Sequence, residues 1–228
     1  MTDLVFLGCG AGYKPSLGPT AAYFITGRRL YILECGTSVF ERLDRAGAFI
    51  GISSVTIFLS HLHADHTGSL GILLDYCKDI LHIRPILAHP SRNIISFLDI
   101  IGASRESYTW YADYAEPDEN GVHATFYPVT HALGMDCFGY LINIGKLDSF
   151  YYSGDANSIP EEVLTLLFNG SLNRIYQDTA SASSQHHCPL EKLKILVPEE
   201  FRSRVYCVHL DTDCPDVFLE AGFRTLSE

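Results

Sequence analysis

One seven-residue stretch limits what this chain can become. Residues 60–66 read Ser60-His61-Leu62-His63-Ala64-Asp65-His66, directly after the apolar, β-branched run 55–59. Such a run reads as a buried strand, and the residues after His66 read as a helix over 67–77. In an extended loop, residues two apart point the same way, so His61 and His63 can grip one cation. Asp65 and His66 stand where the chain turns into the helix and can face a second one. Neutral imidazole and carboxylate form the ligand set that Zn²⁺, Mn²⁺ or Fe²⁺ accepts. A solvated histidine cluster arising by chance is the alternative. Chance gives this spacing in roughly one such chain in a thousand, before the strand and helix around it are required.

Composition agrees with an enzyme-sized soluble fold. The chain has 228 residues, 47% hydrophobic and 19% charged, which suits one α/β domain over 1–228 that buries its own core. Lys and Arg number 16 against 27 Asp and Glu, a formal charge of −11. A surface of that sign is a poor partner for a nucleic-acid backbone or an anionic membrane. No apolar stretch is long enough to span a bilayer. The start, Met1-Thr2-Asp3-Leu4, lacks the basic region of a signal peptide and reads as a first strand. Seven cysteines at irregular spacing, with no Cys-x-x-Cys pair, are expected as reduced thiols in a cytoplasmic protein. No P-loop and no Gly-x-Ser-x-Gly elbow is present, which sets aside a P-loop nucleotide hydrolase and a serine hydrolase.

Hydrophobic periodicity predicts strands over 4–7, 21–25, 30–33, 55–59, 85–88, 122–129, 138–144, 149–152, 174–177 and 204–208. Helices are predicted after Thr37 through residue 46, and over 67–77, 93–101, 160–168 and 190–196. Antiparallel-looking strand clusters, each closed by a strand–loop–helix step, suggest two packed mixed sheets with helices outside. The segment 103–121 is aromatic and acidic, with Tyr108, Trp110, Tyr111, Tyr114, Glu116, Asp118 and Glu119. It is expected to form a lid, a base-stacking surface or an apolar contact in a homodimer.

The motif resembles the metallo-β-lactamase superfamily, whose αββα sandwich is the fold this resemblance implies. That family's further ligands are a His, an Asp and a His at strand ends. Matching positions are His131 after strand 122–129, Asp155 in Ser153-Gly154-Asp155, and His209 after strand 204–208. The resemblance implies one metal on His61, His63 and His131, a second on Asp65, His66 and His209, and Asp155 between them. It narrows toward the ribonuclease Z-like branch through Leu7-Gly8-Cys9-Gly10-Ala11-Gly12 with Pro15, Glu34-Cys35-Gly36, and the step from His131 to Gly139-Tyr140. Glu34 stands where that branch carries Asp. His187-Cys188-Pro189 falls where the branch has His-Ser-Thr, so His187 is the expected catalytic histidine, with His186 as rival. Asp178 is a candidate to orient a site histidine. His82, His89 and His123 are expected to be structural.

Two such metals, expected as Zn²⁺ with Mn²⁺ or Fe²⁺ as options, would suit hydrolysis of a phosphodiester. Asp65 would handle the proton of the attacking water and His187 would protonate the leaving alkoxide. The ribonuclease Z-like branch cuts tRNA precursors with a basic arm. Between Asp155 and His209 the cations here are only Arg174, Lys192, Lys194, Arg202 and Arg204. A small substrate is therefore expected, above all a cyclic mononucleotide. The superfamily includes phage phosphodiesterases that destroy cyclic nucleotide defence signals. A tRNA 3′ endonuclease, a lactone or thioester hydrolase on the same metals, and a non-catalytic metal-binding scaffold are the competing readings.

Overall fold

A computed structural model describes residues 4–116, 121–146 and 148–226. Met1 to Asp3, Asp118 and Glu119 lie outside the described residues. The first half builds a sheet whose strands lie in chain order: β1 (Val5–Gly8), β2 (Ala21–Thr26), β3 (Arg29–Leu33), β4 (Ser54–Phe58), β5 (Ile86–Ala88) and β6 (Thr109–Tyr111). The β2–β3 hairpin turns at Gly27, held at φ 60°, and β3 to β6 then run parallel. Helices α1 (Val39–Arg45), α2 (Ala64–Thr67), α3 (Leu70–Asp79) and α4 (Asn93–Ile100) supply this half's connections.

The second half builds the other sheet from β7 (Tyr114–Ala115), β8 (Val122–Pro128), β9 (Phe138–Ile144), β10 (Asp148–Tyr152), β11 (Arg174–Ala180), β12 (Cys188–Pro189) and β13 (Val205–Val208). Its helices are α5 (Glu161–Phe168), α6 (Leu190–Leu196), α7 (Glu199–Arg202) and α8 (Asp216–Glu220). β7 to β10 pair antiparallel, whereas β11 pairs parallel with β10, β12 and β13. Among the described residues no helix is long and apolar enough to cross a membrane. All seven cysteines are free.

Strand alternation makes the four layers. In β2, Ala22 and Phe24 face the other sheet while Ala21 and Tyr23 face the helices. The layer between the sheets joins Phe24, Tyr31, Leu33 and Phe58 to Tyr140, Ile142, Phe150 and Tyr152. Phe24 stacks on Tyr31 at 4.6 Å and meets Phe150 edge-on at 6.1 Å. Each such ring contributes about 1.5–3 kcal/mol by leaving water. The outer faces pack on α1, α3 and α4 on one side and on α5, α6 and α8 on the other. This is the αββα sandwich.

Three expectations change. The helix expected over 67–77 is two, because Gly68-Ser69 breaks it into α2 and α3. Thr37 is not at the N-cap of α1; Ser38 is, in a left-handed conformation at φ 67° and without a side-chain capping hydrogen bond. Over its described residues to Glu116, the aromatic segment is not a lid, because it is the crossing from one sheet to the other. Tyr108 and Tyr114 are buried, Trp110 donates its indole N–H to the His89 carbonyl at 2.9 Å, and Tyr114 packs edge-on against Phe58 at 5.3 Å. Glu116 accepts hydrogen bonds from Tyr31 and Tyr114 and pairs with Arg29. That network sits at the start of β3, and the histidine motif follows the end of β4.

Candidate active site

β4, β8, β10 and β13 release the chain toward the site at their C-terminal ends, carrying His61, His131, Asp155 and His209 in the loops that follow, and Asp178 stands near the C-terminal end of β11 itself. All seven expected ligands meet there. His61 Nε2 lies 2.9 Å from His63 Nδ1, and His131 Nε2 lies 3.2 Å from the same atom. Across from them, Asp65 Oδ2 lies 3.6 Å from His66 Nε2 and 3.4 Å from His209 Nε2. Asp155 stands between the two groups. Its Oδ2 is 3.3 Å from His131 and 3.9 Å from His61, while its Oδ1 is 3.1 Å from His66 and 3.3 Å from His209.

The surroundings fix which nitrogen each ring presents. A carbonyl only accepts, so His131 Nδ1 donates to the His186 carbonyl at 3.1 Å and leaves Nε2 free for the cluster. Glu34 does the same for His66. Its buried carboxylate takes the Nδ1–H at 3.1 Å, the Tyr140 hydroxyl at 2.8 Å and the Ser60 amide at 3.1 Å. Glu34 and His209 hold left-handed backbone at φ 66° and 56°, conformations that non-glycine residues adopt at a cost. The His209 amide is secured by Thr20 Oγ1 at 3.0 Å.

These residues fit a divalent-metal site on their own chemistry. His66 Nε2 and Asp155 Oδ1 are buried, face each other and have no hydrogen-bond partner among the described residues. Two buried electron-pair donors aimed at one space ask for a cation. The carboxylates also draw positive charge. Burial lowers His209, yet Asp155, with Asp178 and Asp65, holds its imidazolium up to about 10. Burial raises Asp155, yet the neighbouring His209 and His66 hold it well below the usual carboxylate range.

His187 and Asp178 complete the rim. Asp178 is fully buried, accepts the His187 Nδ1–H at 2.7 Å and the Ala156 amide at 3.0 Å, and turns its other oxygen to His209 Nδ1 at 3.5 Å. Burial lowers His187, but the hydrogen bond and charge of Asp178 outweigh it and raise the imidazole above its ordinary value. His186, the rival, is exposed and ties its Nδ1 to the His131 carbonyl at 2.8 Å. His89 donates to the Leu59 carbonyl and stays outside the cluster, as do His82 and His123.

Sequence reasoning missed three supports: the grip of Glu34 on His66, and the contacts of Gly12 and Gly36 with Asp65. A Cβ on Gly12 would lie 2.5 Å from Asp65 Oδ2, and one on Gly36 would lie 1.7 Å from the Asp65 carbonyl oxygen. Backbone cannot yield as a side chain does. Gly36→Ala is therefore expected to destabilise the protein by about 3 kcal/mol, at the upper end of overpacking costs. A denaturant midpoint unchanged from wild type would show that the turn accommodates a methyl group.

With this geometry in view, comparison with known proteins decides the family. Residues 2–228 match the family described as anti-Pycsar protein Apyc1. The chain belongs to the Apyc1 family. A similar protein, the anti-Pycsar protein Apyc1 of Bacillus phage 010DV004, is 26% identical over 248 residues, covering 96% of this chain and 93% of the relative. Among solved structures, the metallo-β-lactamase fold protein YhfI of Bacillus subtilis superposes with a TM-score of 0.76 at 14% identity, over 97% of this chain and 94% of that one. Human tRNase Z, short form, superposes with a TM-score of 0.67 at 18% identity, over 91% and 92%. These structures share the metallo-β-lactamase fold, and this Apyc1-family chain is a metal-dependent hydrolase.

Proposed function

We propose that this chain is a binuclear phosphodiesterase that opens the ring of 3′,5′-cyclic mononucleotides, within one domain spanning residues 1–228. The observation that carries the reading is Asp155, with one oxygen toward each histidine group. In this reading His61, His63 and His131 hold one Zn²⁺, and Asp65, His66 and His209 hold the other, with Asp155 shared. Such ions would supply Lewis-acid stabilisation of phosphodiester charge and activation of water. The protein's own groups handle the protons. Asp65, whose side chain is partly exposed where Asp155 is buried, accepts one from the attacking water. As the ring P–O bond breaks, the departing ribose oxygen takes a proton from His187 Nε2, whose ring Asp178 holds in place through Nδ1. The Apyc1 name of the phage relative and the acidic surface both support a small cyclic substrate over tRNA. The free thiols of all seven cysteines support a cytoplasmic setting.

The test is a panel. Metal-loaded protein is offered cCMP, cUMP, cAMP and cGMP, an aryl phosphodiester, a lactone and a precursor tRNA at physiological salt. Hydrolysis of at least one cyclic nucleotide, far faster than tRNA trimming, is expected. Site-specific cleavage of the tRNA with cyclic nucleotides untouched would replace this reading with a ribonuclease Z-type one.

A further inference from the structure

The cleft over the cluster holds about 490 Å³. His63, Asp65, Asp155 and His209 line its polar floor, where the proposed reading places the phosphodiester. A nucleotide also carries a base, and none of these groups offers it an apolar face. Among the described residues lining the cleft, Tyr13 carries the one aromatic ring of phenyl or indole type. It is fully exposed, at 100% of its reference surface, so it contributes nothing to the core.

The loop that bears Tyr13 is nevertheless pinned on both sides. The Ala11 amide donates to the Leu210 carbonyl at 3.0 Å, and Gly10 donates to Gly18 at 2.8 Å. Beyond Tyr13, Lys14 Nζ and Ser16 Oγ both hold Asp213, at 3.1 and 2.6 Å. Gly12 runs so close to Asp65 of the cluster that a Cβ there would lie 2.5 Å from its Oδ2. An exposed ring is thus carried one residue away from a metal-site carboxylate, on a backbone tied to the loop after His209. Nucleobases stack on such rings whatever their edge chemistry, because every base has a π-face. A tyrosine orders at low entropic cost, having only two side-chain torsions.

We propose that Tyr13 is the base platform of the site, stacking on the nucleobase of a cyclic mononucleotide whose phosphodiester lies over Asp155. This inference rests on the substrate class proposed above. Stacking supplies affinity without reading base edges, so Tyr13 serves pyrimidine and purine nucleotides alike. Its contact is the same before and during ring opening, and so it acts on KM more than on kcat.

The experiment compares Y13A, Y13F, Y13W and L133A in the full metal-loaded chain. Leu133, two residues past His131, is the other fully exposed large apolar side chain on the loops around the cleft. Y13A is expected to raise KM for cyclic nucleotides about tenfold with kcat near wild type, and Y13F and Y13W to keep wild-type KM. Ribose 3′,5′-cyclic phosphate, which has no base, should be cleaved equally by Y13A and wild type. Calorimetry with a slowly cleaved phosphorothioate analogue should show the same loss in Kd. An unchanged KM in Y13A, an equal loss on the base-free substrate, or a KM rise confined to L133A would overturn the proposal. Wild-type protein that cleaves the base-free ring or an aryl phosphodiester but neither binds nor cleaves any cyclic nucleotide would remove the substrate reading itself, and Tyr13's role with it. Cleavage of cyclic nucleotides with a silent Y13A would remove only Tyr13.

Discussion

If two metals sit as proposed, Asp155→Ala should leave a folded protein that has lost the paired site. Four imidazoles, those of His61, His66, His131 and His209, aim nitrogens at this one buried carboxylate. Each half keeps three other ligand residues after the substitution, but nothing then offsets repulsion between two cations. Removing a group that merely orients a ligand costs 10–100-fold in metal affinity or activity, and a shared ligand must cost more. Elemental analysis should fall from about two metals per chain to one or fewer, and phosphodiesterase activity should fall at least about a hundredfold. Asp155→Asn is the stricter test, since it preserves shape and one oxygen while removing the charge. Wild-type turnover from a variant that binds a single ion would show that Asp155 does not join two.

His187→Ala should separate metal binding from proton delivery. His187 is not among the seven expected ligands, and its Nδ1 is committed to Asp178. Metal content is therefore expected to stay at the wild-type value. Turnover of an alkyl leaving group, such as a ribose oxygen, should slow roughly a hundredfold, a usual contribution of a general acid. A nitrophenolate leaves without a proton, so the same variant should cleave a nitrophenyl phosphodiester almost normally. Equal slowing on good and poor leaving groups would deny His187 this role. A leaving-group effect confined to His186→Ala would transfer the role to its neighbour, although His186 Nδ1 is tied to the His131 carbonyl.

The sandwich was legible because its central strands carry strong local signals. Val55-Thr56-Ile57 could hardly be anything but a buried strand, and it became the middle of β4. β6, β7 and β12 were not predicted: two or three residues carry no period, and unlike the equally short β5, with its Ile86-Leu87-Ala88 run, they have no aliphatic run to mark them. The aromatic segment misled because exposed and buried tyrosines look alike in a sequence. Only the folded chain shows that Tyr108 and Tyr114 are buried, the latter paired with β8. Among site residues, His61, His63, Asp65 and His66 were recoverable because chelation forces a compact motif, whereas His131, Asp155 and His209 were recoverable only through the family resemblance, since a lone histidine or aspartate after a strand carries no signal of its own. The supports were not. Glu34 and Tyr140 are 106 positions apart, and nothing local in either announces that they share one hydrogen bond. The contact of Gly12 with Asp65 is likewise a property of space, since glycine there is indistinguishable from an ordinary turn residue.

The ligand set draws on both sheets. His61, His63, Asp65 and His66 leave the first, and His131, Asp155 and His209 leave the second. No disulfide joins these halves among the described residues, since every cysteine is free. A bound ion would therefore act as a rivet between two sheets that otherwise meet through apolar contact and scattered hydrogen bonds. Such a rivet closes a very long loop of chain, the case in which a cross-link removes the most freedom from the unfolded state. The active site would then be a fastening of the fold as well as its chemical centre, and chelation would loosen the ends of both sheets together.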